Sequence, residues 1–128
     1  MNTITMRVLF IVASVYDGAL GAAFLLFGAE LFRVLNVTPP NHFGYVQFPA
    51  LLLIIFAVMF FRISRDPAGN RELMLYGVAL KASYAGTVFW HQMHDGLPAF
   101  WIPWAWADLF FLVLFLLAWR QTASDRRS

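Results

Sequence analysis

Residues Val46 to Ile63 read VQFPALLLIIFAVMFFRI, with no charge before Arg62. A helix needs about 20 residues to cross a hydrocarbon core of about 30 Å, and this run has that length. It begins after Thr38-Pro39-Pro40 and stops before Asp66-Pro67-Ala68-Gly69-Asn70. Proline has no amide to donate and disfavours helix in the residue before it, and the second cluster is a turn composition. The run lacks the apolar-polar alternation of a barrel strand, and only helices or closed barrels satisfy the backbone in lipid. It therefore reads as a membrane-spanning helix.

Three further apolar segments surround it: about Thr5 to Leu35, about Glu72 to Trp90, and about Phe100 to Trp119, with a polar tail over 120–128. The expected fold is all-α, an integral membrane four-helix bundle formed by one domain over 1–128. The first segment is longer than a crossing needs, so it should tilt or project from the bilayer. Its length, and Asp17 where a signal peptide would be most apolar, point to a retained span rather than a cleaved leader. Hydrophobic residues make up 61% of the chain and charged residues 12%, and mean hydropathy is +0.67. Soluble domains run near half apolar and a quarter charged. The pI of about 9.4 is not a nucleic-acid signal, because the arginines stand at segment ends and no basic run interleaves with aromatics. The absence of cysteine removes disulfide, thiol-redox and thiolate-metal chemistry.

The arginines define a topology. Arg7 stands at the start of the first span, Arg62, Arg65 and Arg71 cluster where the second ends and the third begins, and Arg120, Arg126 and Arg127 follow the fourth. Residues 36–45 and 91–99 contain no lysine or arginine. By the positive-inside rule both termini and the middle loop face the cytoplasm. Arg33, on the other side, has Glu30 three residues earlier to pair with. Tyr45, Trp90, Trp101 and Trp104 fall at the outer boundary and Trp119 at the inner one, as interfacial aromatics do.

Against this background Tyr76 to Gly86, YGVALKASYAG, places a lysine mid-span. At ~1.5 Å per residue, Asp17, Lys81 and Asp108 each fall roughly 12–15 Å into the membrane, on three different segments. A charge at that depth is costly and normally turns inward to pair. Lys81 is expected to meet Asp17, Asp108 or both. Two carboxylates against one ammonium leave a surplus negative charge, so one aspartate is expected to carry a proton. Ser14, Gly18, Gly21 and Gly28 recur beside Asp17 at helical spacing, and small residues there let helices approach closely. The second span, free of charge before Arg62, is expected to be the most lipid-exposed.

A cavity lined by Tyr16, Tyr84, Trp101, Trp104 and Phe111 is expected above the cluster. The same residues fit a plainer role, with the ion cluster fixing helix register and the aromatics simply packing. His42, His91, His94 and Asp95 are weak metal-ligand candidates. His91 and His94 share a face only if the helix continues that far, and no zinc signature is present. No metal site and no catalytic residue is assigned. Phosphate loops and nucleophile elbows are absent from the sequence.

Tyr45-Val46-Gln47-Phe48-Pro49-Ala50, Leu80-Lys81-Ala82-Ser83-Tyr84 and Ala107-Asp108-Leu109, with the length and topology of the whole chain, loosely resemble DoxX-type proteins among the short bacterial four-span membrane proteins. The resemblance implies a four-helix bundle in the bacterial cytoplasmic (inner) membrane and carries over no catalytic residue. Three functional classes are compatible with the residues. The leading one is non-catalytic, an accessory subunit or lipophilic-ligand-binding bundle. The second is a proton or small-solute transporter in which Lys81 exchanges partners. The third is a membrane enzyme, an isomerase or cyclase on a lipid-soluble substrate. No cofactor is expected beyond a bound lipid or quinone-like lipophile. The expected partners are membrane lipids, copies of the chain or other membrane-protein subunits, and not nucleic acid.

Overall fold

The computed structural model describes residues 1–127, with side chains as far as Ala123. Four long helices follow one another: α1 (Thr3–Val34), α2 (Gly44–Arg65), α3 (Arg71–His94) and α4 (Ile102–Arg127), the last entered through a 3₁₀ turn over Ala99–Trp101. No strand occurs among the described residues. Three of these segments, α1, α2 and the stretch from Ala99 to Ala123, are long and apolar enough to cross a membrane. The segment expected as a tail continues α4 as helix through Arg127, whereas Ser128 and the side chains of Arg126 and Arg127 lie outside the described residues.

The helix ends follow from local chemistry. Asn2 caps α1 by accepting the Thr5 amide at 2.8 Å. At the other end Asn36 adopts φ 58°, and the Val37 amide reaches back to the Phe32 carbonyl at 2.9 Å. This is a Schellman-type stop in which Val37 and Phe32, both buried, supply the accompanying apolar contact. The chain thus leaves α1 at Asn36, before the prolines at 39 and 40. His42 takes the Gly44 amide on Nδ1 at 2.9 Å and so opens α2. Between α2 and α3 the Asn70 side-chain amide donates to the carbonyls of Arg62 at 3.1 Å and Asp66 at 3.0 Å, closing the end of α2.

Backbone approach is closest within the successive pairs α1–α2 and α3–α4. Small residues set the first contact. A Cβ on Gly21 would lie 2.7 Å from the Ala50 carbonyl oxygen, Gly18 faces Ala57, and the Ser14 hydroxyl donates to the Ala57 carbonyl at 2.7 Å. The stripe beside Asp17 is therefore the seam with α2. That helix is not simply a lipid-facing one: Phe48, Ile55, Val58 and Phe61 face outward, but its other side seals against α1.

The two pairs join tightly at one end. Phe10, Phe60 and Phe115, none of them exposed, bring their ring centroids to 4.8 Å (Phe10–Phe115) and 5.1 Å (Phe60–Phe115). Gly77 makes room for this cluster, since a Cβ there would fall 2.7 Å from Phe60 Cε1. Met6, Ile63 and Met74 complete the core. At the same end the Met1 ammonium donates to Gln121 Oε1 at 2.9 Å, and Arg71 packs over the Trp119 ring at 4.3 Å while donating to its carbonyl at 3.0 Å. Exposed Phe110, Val113 and Leu117 run along one face of α4, a surface that suits lipid rather than water.

Candidate functional site

Above the phenylalanine cluster stand Asp17 on α1, Lys81 on α3 and Asp108 on α4. The Lys81 ammonium donates to Asp17 Oδ1 at 2.8 Å and to Asp108 Oδ1 at 3.1 Å, so it bridges both carboxylates at once. Asp17 lies between Ser14 and the Gly18 and Gly21 positions that form the α1–α2 seam. Lys81 has Gly77 and Ala85 one turn away, both buried, which leaves room for its stem to run inward. Ala105, fully buried, plays the same part beside Asp108.

Aromatic faces surround the ammonium. Its Nζ lies 5.1 Å from the ring centroids of Tyr16 and Phe111 and 5.8 Å from that of Phe60, within cation–π range. Phe111 thus belongs beneath the cluster, in the packed core, and does not line the cavity above it. The Tyr84 hydroxyl donates to the Trp101 carbonyl at 3.0 Å and ties α3 to the entry of α4. Two buried oxygens near the ammonium, Tyr16 Oη and Asp17 Oδ2, have no hydrogen-bond partner among the described residues.

Beside the cluster all four helices line a half-open cavity of about 690 Å³. Tyr16, Tyr84, Trp101 and Trp104 line it. So do Leu20 and Phe24 from α1, and a wall of Val46, Pro49 and Leu53 from α2 that the sequence did not announce. From Pro49 to Phe61 α2 is wholly apolar, which gives no polar face by which to tell its packed side from its exposed side. Asp17 and Asp108 are the charged residues in the lining; Lys81 is not part of it. The cavity therefore meets the carboxylates, with the ammonium behind them.

The histidines are not brought together around a common point. His42 serves the start of α2. Helix α3 does extend to His94, but the His91 Nδ1–H donates to Asp95 Oδ1 at 2.8 Å, and the His94 Nδ1–H donates to the Trp90 carbonyl at 2.8 Å with its ring stacked on Trp90. Among the described residues no three histidine or acidic side chains converge as a metal-ligating group.

Fold and site together define an all-helical bundle, with three helices of membrane-crossing length and apolarity, built around a buried Asp-Lys-Asp cluster. No known protein family, curated protein or solved structure matches the chain.

Proposed function

We propose that this protein is a multi-pass component of the bacterial cytoplasmic membrane that binds a lipophilic molecule between its two helix pairs. The observation that carries the reading is the cavity of about 690 Å³, apolar over most of its wall, with the Asp17 and Asp108 carboxylates at one end. Small-molecule sites are typically of this size, largely apolar, with a few placed polar groups that orient the ligand. The reading includes α3 as a fourth span. Lys81 lowers the apolarity of that helix, and the two aspartates that meet it offset the cost of its charge in lipid. Both termini and the α2–α3 turn are placed on the cytoplasmic side, because Arg62, Arg65 and Arg71 gather there and the opposite loops have no lysine or arginine.

Simultaneous bridging of both aspartates by Lys81 supports a fixed cluster over a carrier whose lysine alternates between partners. No catalytic role is assigned to the site, although aromatic rings beside a carboxyl group are what an isomerase or cyclase would use. Native mass spectrometry of protein extracted gently from its own membranes tests the proposal. A retained small lipophilic mass is the expected result. A stoichiometric second protein without such a mass would replace ligand binding by a subunit role.

A further inference from the structure

We infer that the cavity selects its amphiphile by charge, seating a cationic head group against Asp108 and the neighbouring aromatic rings and rejecting anionic ones; the inference rests on the lipophile-binding reading above. Three observations point the same way. The cluster has two carboxylates and one ammonium, and the carboxylates form part of the cavity wall while the ammonium does not. Helix α2 and the loops contribute no ionisable group to the lining except the Tyr45 phenol, so no cation facing the cavity offsets the surplus carboxylate, and an ammonium head group would displace to water the proton that this carboxylate is otherwise expected to carry.

The second observation is an unmet hydrogen-bonding capacity. Asp17, 1% exposed, spends Oδ1 on Lys81, and its Oδ2 has no partner. Asp108 likewise binds Lys81 through Oδ1, and its side chain keeps 11% exposure on the cavity side. A head group bearing N–H donors supplies what these carboxylates lack, whereas a carboxylate or phosphate head would add a further negative charge at low dielectric.

The third observation is the set of rings beside the carboxylates. Tyr16 precedes Asp17, and Trp104 stands one helical turn before Asp108, with their ring centroids 6.0 Å apart. Both line the cavity, and Trp101 and Tyr84 continue the aromatic wall. Aromatic faces attract ammonium groups, most strongly where water is excluded.

The test compares three probes of one chain length, hexadecylamine, hexadecanol and palmitate, by native mass spectrometry of the wild-type protein in mild detergent. The amine should be retained about tenfold more strongly than the alcohol, and palmitate least of all. Equal retention of amine and alcohol, or stronger retention of palmitate, would overturn the charge inference while leaving lipophile binding in place. Failure of all three probes would instead remove the lipophile reading itself. Asp108→Asn should erase the advantage of the amine and keep hexadecanol, and Asp108→Glu should restore it. An advantage that survives Asp108→Asn in folded protein would exclude Asp108 as the seat. Should Asp108→Asn not fold, the wild-type comparison alone decides.

Discussion

The Lys81 ammonium lies 2.8 Å from Asp17 Oδ1, with both side chains 1% exposed, although 64 positions separate the two in sequence. The pair ties α1 to α3, which belong to different helix pairs and whose backbones do not run side by side. Asp108, at 3.1 Å, extends the tie to α4. Removing different members of this cluster leaves different charges behind, and so has different consequences.

Lys81→Met leaves two buried carboxylates with no cation and should be the most damaging change, on the order of 3–5 kcal/mol, as for other buried ion pairs broken from one side. Asp108→Asn leaves Lys81 paired with Asp17 and should cost much less. Asp17→Asn falls between them, because Asp17 is the more deeply buried and closer partner. Thermal unfolding in detergent, followed by circular dichroism, ranks the three. A Lys81→Met protein as stable as wild type would mean that the lysine does not hold the bundle together.

The cluster was legible in the sequence because an ion inside an apolar segment has few places to go. Depth counted at 1.5 Å per residue put Asp17, Lys81 and Asp108 at one level, and helices cannot carry such groups outward into lipid. Which aspartate Lys81 prefers was not legible, and the structure gives both. Nor was the α2 wall, since VQFPALLLIIFAVMFFRI has no polar stripe to mark a packed face. The small residues from Ser14 to Gly28 announced a close approach, but spacing alone could not say that α2 was the partner. Phe111 shares a face with Asp108 and Trp104, which is why it read as lining; distance along that face puts it in the core below. His42 looked like a weak ligand because a histidine's service to a helix start leaves no sequence signature comparable to a serine or aspartate cap.

Gly21→Ala and Gly86→Ala form a matched pair of substitutions. At Gly21 the added methyl meets backbone, the Ala50 carbonyl oxygen at 2.7 Å, along with Ile54 Cγ1 at 2.9 Å, so the α1–α2 seam has to open. A loss of about 1–3 kcal/mol is expected, as for overpacking elsewhere. At Gly86 nothing lies within 4 Å, and alanine is the better helix former, so stability should hold or rise slightly. Equal unfolding temperatures for the two variants would count against the seam.

Stability and ligand retention should separate along the length of the bundle. Phe115 is fully buried between Phe10 and Phe60, below the ion cluster, and Phe115→Ala should cost about 3–5 kcal/mol while any retained lipophile stays bound at low temperature. Thr87 lines the cavity, and its hydroxyl bonds only to the Ser83 carbonyl of its own helix at 2.7 Å. Thr87→Trp should therefore fill cavity space at little cost to the fold. The retained mass should disappear from the native mass spectrum of Thr87→Trp and persist in that of Phe115→Ala. The reverse pattern would place the ligand outside the cavity.

The arginine distribution makes a prediction about sidedness, and the absence of native cysteine makes it simple to test, because any single introduced thiol is the only one in the chain. Asn41 and Asp95 are exposed and lie in the two connections that contain no lysine or arginine, whereas Ala68 lies in the turn flanked by Arg65 and Arg71. Positive charge within short loops is retained on the cytoplasmic side during insertion. In intact cells whose outer barrier has been opened, a membrane-impermeant maleimide should label Asn41→Cys and Asp95→Cys, and should reach Ala68→Cys only after the inner membrane is made permeable. Labelling at 41 but not at 95 would mean that α3 and α4 do not both cross, and that the Lys81 helix sits in the membrane in some way other than as a span. Labelling at 68 from outside, with 41 and 95 protected, would invert the bundle. In that case the cavity between the helix pairs, which lies toward the end of Trp101 and Thr38, would open to the cytoplasm.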